Sequence, residues 1–245
     1  MSCRLSVNIN KIALLRNARG SNLPDLLQVA KDCERFGAEG ITVHPRPDER
    51  HIRYQDVFDL NPVVQTEFNI EGYPTERFLD LVKLIKPQQC TLVPDLPEAL
   101  TSDAGWNTIK RKGFLLDIIT LLHEAGIRVS LFIETDEALI QGAKEVGADR
   151  IEFYTGSYAN QFKGNKEAAI EPYIRCAEFA NDIGIAINAG HDLNLANLRY
   201  FSQHIPNLLE VSIGHALISD ALYYGLENTI QMYLHQLKGL EDSDS

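Results

Sequence analysis

The chain has 245 residues, 44% of them hydrophobic and 23% charged, with a formal net charge of −11. This composition is ordinary for a folded globular protein and excludes disorder and collagen-like structure, while the length suits one α/β barrel or two small domains. The acidic balance disfavours nucleic acid and anionic membrane surfaces as partners, because both demand an excess of Lys and Arg. Cys3, Cys33, Cys90 and Cys176 are widely spaced without a CxxC, so they read as free thiols of a reducing compartment, not as a zinc site or disulfide framework. No apolar run approaches the ~20 residues of a bilayer span. The N-terminal stretch carries Arg4, Asn8, Asn10 and Lys11 where a signal peptide needs an apolar core, so a cytoplasmic protein is expected. Residues 240–245, LEDSDS, read as a disordered acidic tail.

In chain order, β-rich runs fall at 5–9, 40–44, 68–71, 89–93, 128–133, 150–154, 186–189 and 209–213. Helical patterns alternate with them. The first spans 23–36, with Pro24 in its opening turn, and is followed by one at 54–64. Others cover 75–85, opened by Thr75, and 113–124, 136–146, 167–182, 193–204 and 217–240. Gly37, Gly126 and Gly147 each sit between a helix end and the next strand, where a left-handed C-cap feeds a short αβ loop. Eight βα units without a compositional break predict a single domain over 1–245, a (β/α)8 TIM barrel with extra short helices. The alternative is an open doubly wound sheet.

Strand alternation assigns the two faces of that barrel. Leu5, Val7 and Ile9 oppose Ser6, Asn8 and Asn10; Phe68 and Ile70 oppose Glu67, Asn69 and Glu71. Ile151 and Phe153 oppose Glu152 and Tyr154; Leu209, Val211 and Ile213 oppose Glu210, Ser212 and Gly214. With the apolar set against the helices, the interior is polar where barrels are ordinarily filled by Val, Ile and Leu. Two explanations compete: a structural network of Asn and Glu, or a wet ligand-binding mouth, and the mouth is favoured.

Barrel chemistry resides at the C-terminal strand ends and in the βα loops. His44, His191 and His215 follow strands two, seven and eight, and His51 lies in the loop after strand two; His123, His204 and His235 fall on helices and are assigned no role. Arg16 and Arg19 follow strand one in LLRNARG, Arg46 and Arg50 follow strand two in HPRPDERH, and Thr101 follows strand four. The planar fork of Arg suits phosphate. Arg19 and Arg46 are read as anion ligands, and Arg50 and Arg53 as solvated loop charges. SIGHA at 212–216 puts Gly214 and His215 at a helix N-terminus, a recurrent phosphate site of barrels, with AGHD at 189–192 beside it. Two anion-binding corners result, at strands one, two and four and at strands seven and eight. Glu71 is a candidate general base, with His44 or His191 as its acid/base partner. The same His44, Glu71 and His191 could hold a divalent metal. Nucleotide-loop, zincin and nucleophile-elbow motifs are missing from the sequence, and Lys11 is the only Lys near a Schiff-base position.

The stretches VNINKIALLRNARG (7–20), GITVHPRPDERHI (40–52), FNIEG (68–72), LVPD (92–95), VSLFIE (129–134), IEFYTGSYA (151–159), INAGHDLN (187–194) and SIGHALI (212–218) span nearly the whole chain. They resemble the pyridoxine 5′-phosphate synthase family, transferase-class barrels that close the pyridine ring of vitamin B6 in the deoxyxylulose-dependent route. The resemblance implies condensation of 1-deoxy-D-xylulose 5-phosphate with 3-amino-2-oxopropyl phosphate to pyridoxine 5′-phosphate, phosphate and water, without metal or organic cofactor. It implies acid/base roles for His44, Glu71 and His191. Amino-ketone phosphate contacts fall on Asn8, Arg19, Asp192, Gly214 and His215, and deoxyxylulose phosphate contacts on Arg46, His51 and Thr101. It further implies a homo-octamer, with an extra helix before the last barrel helix. Glu152, Asn10 and Lys11 are additional candidates. Many members carry Asp-His where this chain has Asn10-Lys11, and Gly where it has Asp192. The implied contact at 192 is the backbone N–H, and a carboxylate there is compatible with a phosphate only if it turns away. The alternatives are a metal-dependent barrel lyase or hydrolase and a non-catalytic phosphosugar-binding barrel.

Overall fold

A computed structural model describes residues 3–94 and 104–238, so Thr101 and the acidic tail lie outside the described residues. Eight strands alternate with helices: β1 (Arg4–Asn8), β2 (Gly40–Val43), β3 (Glu67–Gly72), β4 (Gln89–Leu92), β5 (Arg128–Ile133), β6 (Arg150–Tyr154), β7 (Ala186–Gly190) and β8 (Leu208–Ile213). All neighbours pair in parallel in chain order, and Arg4 to Val7 of β1 pair with Glu210 to Ile213 of β8, which closes the barrel and rules out the open sheet. The apolar faces lie under the helices as expected: Leu5, Val7, Ile41, Val43, Ile70, Leu131, Ile151, Val211 and Ile213 are fully buried. Each such side chain contributes about 1.5–3 kcal/mol.

The outer ring consists of α2 (Leu26–Arg35), α3 (Tyr54–Leu60), α4 (Glu76–Ile85), α5 (Lys112–Glu124), α6 (Glu137–Glu145), α8 (Lys166–Asp182), α9 (Leu198–His204) and α11 (Leu226–Leu237). Three further helices, α1 (Asn10–Asn17), α7 (Gly156–Phe162) and α10 (His215–Tyr224), follow β1, β6 and β8 directly. Gly37, Gly126 and Gly147 adopt φ of +102°, +78° and +85° after α2, α5 and α6, as their caps require.

Four boundaries differ from the sequence reading. Pro24 precedes α2, because the Asp25 carboxylate accepts the N–H groups of Leu27 and Gln28 and starts the helix after it. Helix α3 stops at Leu60 because Pro62, which follows Asn61, has no N–H to continue the helical hydrogen bonds, although Asn61 itself keeps helical φ and ψ. Helix α9 begins only at Leu198: Asn194 and Asn197 side chains cap the preceding turn through the N–H groups of Ala196 and Asn194. The long final segment is two helices, since Gly225, at φ +77°, breaks it between α10 and α11. Helix α11 packs on β1, α2 and α9 as the last ring helix, and α10 precedes it beside α1. Helices α1 and α7 have no apolar stripe to announce them; α1 buries only Ala13 and Arg16.

The polar interior divides by height. At the N-terminal end Glu67 meets Arg128 in a close ion pair, Arg4 at 3.3 Å and Arg150 at 3.6 Å, while Glu210 meets Arg4 at 3.5 Å and Arg150 at 3.9 Å. Above it a hydroxyl–amide layer links Ser6 to Thr42 (2.7 Å), Asn69 to Thr42 (3.3 Å) and Thr91 to Asn69 (3.0 Å). A structural network of polar side chains therefore fills the lower two tiers of the interior. Burial raises the Glu67 carboxyl, but the Arg128 hydrogen bond and the charges of Arg128, Arg150 and Arg4 outweigh it and hold the group low. Burial and then the charge of Glu67 push Glu210 up to about 8.

Candidate active site

The C-terminal end of the barrel opens into a cavity of about 610 Å³ lined by Asn8, His44, Arg46, Glu71, Glu152 and His191 among others, a size suited to small-molecule ligands. Strand alternation brings Asn8, Glu71 and Glu152 inward, and the loops after β2, β7 and β8 add the histidines. Asn8 donates from Nδ2 to Glu71 Oε2 at 3.3 Å and accepts the Asn10 N–H at 3.1 Å, and Asn10 Oδ1 accepts the His44 N–H at 2.9 Å. His44 Nδ1 lies 4.0 Å from the same Glu71 oxygen. The two asparagines thus link the backbone of His44, just past β2, to the carboxylate of β3.

Electrostatics separate the groups. Burial, then the charges of Arg46, His51 and Arg50, hold His44 well below the ordinary histidine range. Burial, then Arg46, Arg50 and Lys11, lower His51 to about 4, and its Nδ1 accepts the Ile52 N–H at 2.9 Å. Both rings are neutral at pH 7 beside a concentration of positive charge. A bound dianion would offset much of that field and favour their protonation. Glu152 is buried beneath Gly190, where a Cβ would lie 2.5 Å from Oε1. Burial and the charge of Glu71 push its carboxyl far above the usual range, opposed by His191. Both causes favour the protonated carboxyl, the form able to donate a hydrogen bond.

His191 occupies a left-handed φ of +79°, a conformation costing about 1–3 kcal/mol outside glycine. That geometry turns the ring toward Tyr154, at 5.5 Å between centroids, and Phe132, at 6.4 Å.

The cavity also gathers Asn10, Lys11, His51, Asp192, Gly214 and His215. Lys11, Arg46 and His51 form one corner; Gly214 and His215, at the start of α10, form the other. Arg19 is exposed at the end of α1 and is not among the lining residues, and Thr101 lies outside the described residues. Arg16 is buried in a two-point ion pair with Asp56, at 2.6 and 2.8 Å, and anchors α1 to α3. Arg50 is less solvated than expected, half-buried and 2.9 Å from Asp48. Among the described residues, no group of three or more His, Cys, Asp or Glu side chains converges as a ligand set for a metal. No helix among the described residues is long and apolar enough to cross a membrane. Phe132 and Asn194 line the cavity without having been singled out; the period of two from Arg128 through Ser130 carried the signal for Phe132.

Fold and cavity together define a (β/α)8 barrel enzyme whose mouth is lined with acid/base groups and cations. Among solved structures the chain is similar to phosphoribosylanthranilate isomerase of Thermotoga maritima (TM-score 0.61, 15% identical, covering 97% of this chain and 100% of that chain). It is also similar to tryptophan synthase of M. tuberculosis (TM-score 0.66, 10% identical, covering 97% and 93%), and at these identities the likeness shows the fold alone. Residues 5–239 match the family model described as pyridoxal phosphate biosynthesis protein PdxJ. The pyridoxine 5′-phosphate synthase of Cytophaga hutchinsonii is 64% identical over 96% of this chain and 99% of its own length, and that of Flavobacterium johnsoniae 58% identical over the same shares. The chain belongs to the PdxJ family of pyridoxal phosphate biosynthesis proteins.

Proposed function

We propose that the chain is a pyridoxine 5′-phosphate synthase, joining 1-deoxy-D-xylulose 5-phosphate to 3-amino-2-oxopropyl phosphate with release of phosphate and two molecules of water. The observation that carries the reading is the union of family membership with a cavity lined by His44, Glu71 and His191 together with Lys11, Arg46, His51, Gly214 and His215. Anchoring both phosphates converts a bimolecular condensation into an oriented one.

The amine of one substrate attacks the ketone of the other, and loss of water gives an imine. Glu71 and His191 move the protons of enamine formation and carbonyl addition, and Glu152, when protonated, donates to the developing oxyanion. His44 serves the proton transfer that accompanies phosphate loss and aromatisation. Arg46, His51, Lys11 and Thr101 take the deoxyxylulose phosphate; Asn8, Gly214 and His215 take the amino-ketone phosphate, which Arg19 meets from the rim outside the cavity lining. Asn10 orders the His44 backbone. Each positioned acid/base group contributes about 10²–10⁴-fold. The reaction as written uses no metal or organic cofactor.

The protein is further read as cytoplasmic and as a homo-oligomer, an octamer by resemblance. Exposed Leu14 and Leu15 on α1 and Leu222, Tyr223 and Tyr224 on α10 support association.

The test is one experiment: the purified chain, its mass in solution read by light scattering, is given both phosphates after exhaustive chelation. Stoichiometric pyridoxine 5′-phosphate and phosphate are expected. No product, or product only on restoring a metal, would overturn the reading in favour of a binding barrel or a metal-dependent enzyme.

A further inference from the structure

The turn after β7 is held from several sides. The Thr155 hydroxyl donates to the Gly190 carbonyl and accepts the Asp192 N–H at 3.1 Å. Asn194 and Asn197 donate from their side-chain amides to the Asp192 carbonyl at 3.4 and 3.3 Å. With its backbone fixed on both sides, Asp192 brings Oδ2 to 2.7 Å from Nδ1 of His191. A carboxylate at Nδ1 selects the Nδ1–H tautomer of a neutral imidazole and fixes the ring plane.

We propose that Asp192 is a positioning residue: its carboxylate receives the Nδ1–H of His191, orients the ring, and leaves Nε2 as the nitrogen that exchanges protons inside the cavity. The role in turnover rests on the synthase reading; the pairing itself does not.

Two observations favour orientation over substrate binding. The Asp192 amide, the implied phosphate contact, is already taken by Thr155 Oγ1. The carboxylate, which would repel a phosphate, is turned to the imidazole instead. At this position, where many members carry Gly, the chain therefore has a carboxylate–histidine pair. A carboxylate at 2.7 Å favours the imidazolium form of His191. The other titratable groups facing His191 are Glu152 and Tyr154 of β6; Glu71 of β3 and His215 of α10 line the same cavity, and Phe132 of β5 is apolar.

The test uses full-length D192N and D192A with ¹⁵N-labelled histidine. Asn keeps an oxygen for Nδ1–H and loses the charge; Ala loses both. The parent is expected to show the Nδ1–H tautomer at His191. D192N should keep the tautomer while its titration midpoint falls by at least about half a pH unit, and D192A should lose both. In both variants kcat should fall about tenfold with KM for each substrate within about twofold, and the limb of the kcat–pH profile belonging to His191 should move to lower pH with the midpoint. An unchanged tautomer and midpoint in D192A, or a raised KM at unchanged kcat, would overturn the proposal. If the parent makes no pyridoxine 5′-phosphate, the synthase reading fails while the NMR titration still decides the pairing.

Discussion

Glu67 and Glu71 stand on the same strand, both facing inward, about 13 Å apart by strand rise, yet their surroundings have opposite consequences. Glu67 lies among Arg4, Arg128 and Arg150 and is held ionised. Glu71 has the Asn8 amide at 3.3 Å and the His44 imidazole at 4.0 Å, partners of the kind that proton transfer requires. The acids on other strands also divide by tier: Glu152 shares the mouth, and Glu210 shares the guanidinium tier, where burial and the charge of Glu67 raise it to about 8 while Glu67 takes the guanidinium charge. A buried carboxylate becomes structural when guanidinium groups neutralise it permanently, and chemical when its neighbours can change protonation state.

Breaking the upper tier should give the largest effect. Glu71→Gln keeps the shape and the Asn8 contact but removes the base, so kcat should fall about 10²–10⁴-fold at nearly unchanged melting temperature. Steady-state kinetics beside calorimetry measure both; near-parental turnover would refute the acid/base assignment.

Breaking the lower tier should invert the pattern. Glu67→Ala leaves Arg128 without its partner, and Arg4 and Arg150 with Glu210 alone, and should cost about 3 kcal/mol of stability, with kcat retained while the protein is folded. Urea unfolding followed by assay below the transition is the measurement. A stable variant with lost activity would mean that the tiers are not independent.

The finest distinction lies in Glu210. Its carboxyl is raised to about 8 in the folded chain, against about 4.3 when unfolded. The folded state therefore holds a proton that the unfolded state releases between those values, so this group makes stability fall as pH rises through the window and level off above it. Glu210→Gln should match the parent near pH 4 and gain relative stability from there to about pH 8. Parallel curves for parent and variant would show that the group does not titrate alone.

Much of this was legible in the residues. Alternation along 5–9, 68–71 and 150–154 assigned the inward side chains, and the spacing of Gly37, Gly126 and Gly147 marked αβ loops, because both depend on local backbone geometry. His44, Glu71 and His191 stood out because their types are costly at strand ends without a purpose. Helices α1 and α7 were not legible, since neither presents an apolar stripe, and the split at Gly225 was hidden inside one continuous amphipathic pattern. Arg16 and Arg19 looked equivalent in LLRNARG; Asp56, 40 residues away, makes the first an anchor, while the second remains exposed.

By itself the sequence determined the eightfold βα alternation, the polar interior and the identity of the groups at the mouth, because these follow from period, chirality and chain order. Only the tertiary structure decided which inward carboxylates meet guanidinium groups and which meet imidazoles. It likewise decided that Asp192 turns to His191 and that Asn10 reaches the His44 backbone. The reason is closure: the contacts that divide the two tiers join residues from different strands, and their heights are set by the stagger between strands when the barrel closes.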